Sequence, residues 1–242
     1  MFGDIRNQLG ERLDYSFNLG SLSNRYLLVI PHSSDNLFKI NLYSYLAEQV
    51  IQEGLSTLSF SFAGSGNSQG LIANSTLPKK ISDLQDVLCI ASKNGWRLIF
   101  VGHGLDSTIG MLASLLSKNL EFIVSLGGVM NTQSYAQKLM NNLYQDELGS
   151  ESLHPNFIDS LLQTKNLLSD SKSISIPWLL IHGNRDKIVP VVELNPIIEA
   201  KIPERYLIEI DGGDHNFSGN YLSSAGEILI KWIGKQIQIT KK

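Results

Sequence analysis

The chain has 242 residues, a formal charge of −3 and 43% hydrophobic side chains. That length and apolar content fit one α/β unit with a sizeable core. The charge gives no reason to expect nucleic acid or an anionic membrane surface as a partner, and no apolar run approaches the ~20 residues of a membrane span. The single Cys89 sits in a helical pattern and cannot form an internal disulfide; as a small buried apolar residue it requires no chemistry. The opening Met1-Phe2-Gly3-Asp4 has neither the basic region nor the apolar core of a signal peptide, so a cytoplasmic protein is expected.

In chain order, residues 14–19 alternate in polarity and read as an antiparallel edge strand. Residues 26–30 form a continuous apolar run, the pattern of a strand covered on both faces. The loop Pro31-His32-Ser33-Ser34-Asp35-Asn36 follows, then a helical pattern over 42–51 closed by Gly54. Residues 55–62 read as the next strand and lead into a turn rich in glycine and serine, Ala63 to Gly70. Pro78 introduces a helix whose Ile81, Leu84, Val87 and Leu88 recur at helical spacing. Another buried strand spans 96–101 and a helix follows from Met111. Residues 122–126 are again strand-like. Between 133 and 175 the strand signals vanish, and 135–143 and 157–168 read as helices. Strands return at 178–182 and 205–210, and an amphipathic helix runs through 228–233. Strands alternating with helices predict a mostly parallel central sheet flanked by helices, in a single α/β domain spanning 1–242.

Four stretches at strand ends carry candidate chemistry. The decapeptide Val101-Gly102-His103-Gly104-Leu105-Asp106-Ser107-Thr108-Ile109-Gly110 must be a sharp turn from strand to helix. Ile181-His182-Gly183-Asn184-Arg185-Asp186-Lys187-Ile188-Val189-Pro190 places an aspartate just beyond a strand, where it can orient an imidazole. Asp211-Gly212-Gly213-Asp214-His215-Asn216-Phe217 places a histidine after the last strand. The fourth is His32-Ser33-Ser34. His103 and His182 suit structural uses, His154 before Pro155 reads as a surface turn residue, and no histidine has the paired spacing of a metal site.

These segments resemble, in order, motifs of the α/β-hydrolase superfamily, the serine esterases, lipases and aminopeptidases. The corner resembles the nucleophile elbow G-x-S-x-G, the second segment H-G-x-x-D-x-x-V-P, and the third G-x-x-H-x-F. The resemblance implies an α/β-hydrolase fold with the segment 133–175 as a helical cap. It implies Gly104 at the nucleophile position, Asp186 as the triad acid and His215 as the general base. Backbone N–H groups of Ser33 and Leu105 would form the oxyanion hole. No metal or cofactor is implied, and the partner would be a small acyl or ester ligand.

The departures gather around one centre. Gly104 stands where the family has serine, Asp106 replaces the closing glycine, and Ser33 replaces a glycine of the oxyanion loop. In a segment similar to F-D-x-R-G-x-G-x-S, Ser61 and Ala63 replace the aspartate and the arginine. Serine hydrolysis needs an oxygen that Gly104 lacks, and losing a nucleophile costs about 10⁶-fold in turnover. The reading placed first is a hydrolase-fold protein that binds a small acyl, ester or carboxylate compound rather than hydrolysing it. The alternatives are an active ester or thioester hydrolase, carrying an engineered Ser→Gly change or a displaced nucleophile (Ser107 or Asp106), and an interaction protein that uses only its outer surface.

Overall fold

A computed structural model describes residues 2–31, 37–116, 119–141, 154–165, 167–200 and 202–239. The first strands, β1 (Ile5–Arg6) and β2 (Arg12–Leu13), form an antiparallel hairpin. After β3 (Tyr15–Asn18) come β4 (Tyr26–Pro31), α1 (Leu37–Gln52), β5 (Ser56–Phe60), α2 (Leu77–Lys93), β6 (Arg97–His103) and α3 (Leu105–Leu116). Next are β7 (Leu120–Leu126), α4 (Thr132–Met140), α5 (Pro155–Gln163) and α6 (Leu167–Ser171). The chain continues with β8 (Trp178–Gly183), α7 (Asn195–Glu199), β9 (Arg205–Ile210) and α8 (Tyr221–Ile239).

The main sheet has seven strands in the order β3-β5-β4-β6-β7-β8-β9. Every pair is parallel except β3–β5, the antiparallel edge expected at 14–19. The continuous apolar runs are explained by burial on both faces. Along β4 and β6, Leu27, Val29, Leu98 and Phe100 meet one core, built with α2 and α3. Their neighbours Leu28, Ile30, Ile99 and Val101 meet the other core, built with α1 and α8. From β4 the chain passes to one side for β5 and returns to the other side for β6. This is a topological switch point, where parallel sheets open a crevice at their strand C-termini. The corner at Gly104 lies at the end of β6, beside that switch.

Local signals account for several boundaries. Thr76 caps α2 by accepting from the Lys79 N–H (3.4 Å), with Pro78 in the first turn. His154 caps α5 in the same manner, its Nδ1 accepting from the Asn156 N–H at 3.3 Å. The helix expected over 157–168 ends at Gln163, because Thr164 takes an extended conformation (φ −74°, ψ 117°) before α6 begins. Cys89 is half-buried rather than fully enclosed. Among the described residues no helix is long and apolar enough to cross a membrane.

Candidate active site

The corner between β6 and α3 is set by backbone. Gly104 has φ +57°, a left-handed conformation that glycine adopts without steric cost. Its N–H donates to Leu126 O at 2.9 Å, and its carbonyl accepts from the N–H groups of Ser107 and Val129, both at 3.2 Å. Two other glycines let the helix close on the strand. A Cβ on Gly102 would lie 2.6 Å from the Asp106 carbonyl carbon, and one on Gly110 would lie 2.1 Å from the Phe100 ring. The close approach of α3 to β6 therefore occurs at Gly102 and Gly110 and does not need a glycine at 106.

At 106 a side chain fits because the fold provides a partner. The Tyr43 hydroxyl, on α1, donates to Asp106 Oδ2 at 2.8 Å and accepts from the His103 N–H at 2.8 Å. Since α1 and α3 lie on opposite faces of the sheet, this bond passes over the end of β6 and ties both layers to the corner. Burial first, then the charge and hydrogen bond of Asp106, push the Tyr43 phenol well above its ordinary range, so it remains a donor. Ser107 is fully buried and its hydroxyl donates to Gly102 O at 2.7 Å.

The acid and the histidine sit on two loops laced together. Arg185 N–H donates to Gly213 O (2.9 Å), Asn184 Nδ2 to Asp211 (2.9 Å), and Gly212 N–H to Asn184 Oδ1 (2.8 Å). A Cβ on Gly183 would come within 2.2 Å of Gly213 O, so the two backbones touch. On this support, Asp186 Oδ2 accepts from His215 Nδ1 at 2.8 Å and lies 3.2 Å from His182 Nε2. Asp186 Oδ1 accepts from the N–H groups of Ile188 (2.9 Å) and Val189 (2.8 Å). Burial by itself would push the Asp186 carboxyl up. The hydrogen bonds from His182 and His215, the His215 charge and the Val189 N–H outweigh it and hold the carboxyl well below the usual range.

An ionised Asp186 fixes the proton of neutral His215 on Nδ1 and leaves the Nε2 lone pair open. That atom faces the corner: a Cβ built on Gly104 would lie 3.5 Å from His215 Nε2, ordinary contact distance. The ring is held from both sides. His103 Nε2 donates to His215 O at 2.9 Å, and the two rings lie 4.6 Å apart. Gly127 (φ +53°) passes so close that a Cβ there would lie 3.2 Å from His215 Nδ1. Phe217, two residues beyond His215, takes φ +49°, a strain of about 1 kcal/mol for an L-residue, with its side chain locked in the core.

The structure thus brings Gly104, Asp186 and His215 together. Leu105 is the first residue of α3, where N–H groups have no carbonyl acceptor within the helix. His32 and Ser33 lie outside the described residues. At the replaced positions 61 and 63, Ser61 O accepts from Ser68 Oγ (2.7 Å), and Ala63 N–H donates to Asp83 (2.9 Å). Sequence reasoning did not assign Tyr43, Gly127 or the contact of His182 with Asp186. Only His182 left a signal, its spacing of four from Asp186. Among the described residues no group of three or more histidine, cysteine or carboxylate side chains is placed to hold a metal.

A cleft of about 650 Å³ opens between the segment after β7 and the loop after β8, bounded by Met130, Thr132, Thr164, Lys165, Val192 and Glu193. It begins one residue after Val129, whose N–H holds Gly104 O. Burial pushes the Glu193 carboxyl up, against the opposing pull of Lys138, whose Nζ lies 3.6 Å away.

This sheet and helix arrangement has many counterparts among solved structures. Est1E from Butyrivibrio proteoclasticus, solved with ferulic acid bound, superposes with a TM-score of 0.77 over 97% of this chain and 99% of its own, at 17% identity. The chain has the α/β-hydrolase fold. The esterase domain of a Rhodothermus marinus protein matches this hydrolase fold with a TM-score of 0.70, 19% identity and 95% of each chain covered. A monoacylglycerol lipase from Paleococcus ferrophilus gives 0.71 at 14% identity, over 93% of this chain and 99% of its own. No family model and no curated protein sequence matches this hydrolase-fold chain.

Proposed function

We propose that this protein binds a small acyl, ester or carboxylate compound at a hydrolase corner that keeps its acid and its base but lacks the serine nucleophile. In this reading Gly104 holds the nucleophile position, Asp186 orients His215, and the N–H groups of Leu105 and Ser33 receive the ligand's oxygen. Chain 1–242 is one unit, with 133–175 as its cap over the ligand. The observation that carries the reading is the 3.5 Å separation between His215 Nε2 and the Cβ position of Gly104. The base is aimed at the place of a serine hydroxymethyl, and residue 104 supplies no oxygen there.

The displaced-nucleophile alternative finds no support at either candidate. The Ser107 hydroxyl is buried and spent on Gly102 O, and the Asp106 carboxylate is held by Tyr43. A second reading, an ester hydrolase whose serine was replaced by glycine, draws on that same 3.5 Å separation, since a serine side chain would fit. The ferulic acid in Est1E makes ferulate a reasonable first probe.

The test pairs labelling with binding. A serine-directed fluorophosphonate is expected to leave the chain unlabelled by intact mass, while ferulate shifts amide resonances or raises the melting temperature. Labelling located at Ser107 would overturn the missing-nucleophile assignment. Absence of any response to ferulate, phenylacetate and acetate would overturn the ligand class.

A further inference from the structure

We infer that His215 acts as a general base on a water molecule seated beside Gly104, so that the protein hydrolyses small activated esters slowly and without an acyl-enzyme. This rests on the reading that the corner receives acyl compounds, and goes beyond it by assigning the corner an activity.

Three structural features lead there. First, Nδ1 of His215 is committed to Asp186, and Nε2 has no hydrogen-bond partner among the described residues. Second, the nearest atoms to a Cβ on Gly104 are His215 Nε2 at 3.5 Å and Cε1 at 3.8 Å. No other described residue beyond its chain neighbours comes within 4 Å of that point. Glycine leaves unfilled the place beside Nε2 that a larger side chain at 104 would take, where a water molecule can hydrogen-bond to the imidazole. Third, the ring is tethered: Asp186 bonds Nδ1, Gly127 packs against the same atom, the His103 ring lies 4.6 Å away, and its Nε2 holds the His215 carbonyl.

The step balances without any other reactant. The water oxygen bonds to the acyl carbon as Nε2 takes one of its protons. The carbon–oxygen bond to the leaving group then breaks with its electron pair, and the imidazolium returns the proton to that oxygen or to solvent. The products are a carboxylic acid and an alcohol or phenol. Asp186 favours the imidazolium that forms, whereas the Asp106 carboxylate at the start of α3 opposes the oxyanion, which keeps the reaction slow.

The experiment uses 4-nitrophenyl acetate with the whole chain, following nitrophenolate release and the mass of the protein. The expected result is a linear rate above buffer, no initial burst and no acetylated chain. His215→Ala should lower that rate by about 10²-fold, the scale of general-base catalysis. Added imidazole should partly restore it, while Cys89→Ser leaves it unchanged. A rate unaltered in His215→Ala, a rate equal to buffer, or an acetyl group on any side chain would overturn the proposal. If His215→Ala misfolds, His215→Gln and imidazole rescue decide. Saturation separates the two readings: a His215-independent rate that still saturates sinks the base and spares the binding site. A His215-dependent rate that never saturates does the reverse.

Discussion

The two halves of the candidate site are built differently. The loops carrying Asp186 and His215 are fixed by side-chain chemistry: each oxygen of Asp186 has two hydrogen-bonding neighbours, and Asn184 stitches one loop to the other. The corner carrying Gly104 is fixed by backbone: a left-handed glycine, three main-chain bonds and two glycines beneath it. The corner's shape is thus independent of the side chain at 104. A nucleophile can be absent while the base still points at its place.

The largest effect that would break this contrast comes from the meeting of the two loop backbones. Gly183→Ala would force a Cβ to within 2.2 Å of Gly213 O, where only main chain can yield. We expect a loss of about 3 kcal/mol or failure to fold, read by urea denaturation. A loss under ~0.5 kcal/mol would show that the loops can part freely.

Asp186→Asn tests the side-chain half. It removes an ionised acceptor of charged-group hydrogen bonds, and a loss of about 2 kcal/mol at neutral pH is expected. The sign of its pH dependence follows from the depressed carboxyl. Its stabilisation is fully present above the ordinary value of ~3.9 and is lost as pH falls through the lower folded-state value. Melts of wild type and Asp186→Asn should therefore differ at neutral pH, with a gap that narrows as pH falls below ~3.9 and closes only below the folded-state value. A gap that persists unchanged into acid would assign the effect to packing instead.

The smallest effect belongs to the corner itself. Gly104→Ser places a side chain at φ +57° and should cost only about 1 kcal/mol, with the ring 3.5 Å away needing no shift. Hydrolysis of acyl esters by this variant should stay weak because the Asp106 charge opposes the oxyanion. The double change Gly104→Ser with Asp106→Asn, which keeps the shape beside Tyr43, should exceed it by roughly 10-fold. Strong hydrolysis by Gly104→Ser alone would identify a competent enzyme lacking only its serine.

Much of this was legible in the sequence, for a physical reason. Strands buried on both faces leave unbroken apolar runs, so β4, β6, β7 and β8 could be placed within a few residues. The acid and the histidine sit beside glycines whose spacing reflects loops in contact. The β1–β2 hairpin left no trace, since two-residue strands have no periodicity to detect. Tyr43 was invisible because a tyrosine in a helix reads as core, and only the tertiary fold shows its hydroxyl meeting Asp106. Asp106 fits the sequence as a charge in the first turn of a helix, and its burial to 2% exposure shows only in the fold. Gly127 follows a strand as many turn glycines do, and its task of clearing the imidazole exists only once residues 127 and 215 are neighbours.

The His103 ring bonds to the carbonyl of His215 across 112 positions of sequence. On a growing chain, the corner at Gly104 can fold once β6, α3 and β7 through Val129 have emerged. The base then has no partner to dock on until β9 has been made and has paired with β8, a slow kind of closure for such a sequence separation. Until that moment the half-built molecule holds a finished corner and no base. Any chemistry at His215 therefore begins only after β9 and the loop that follows it have been synthesised and docked.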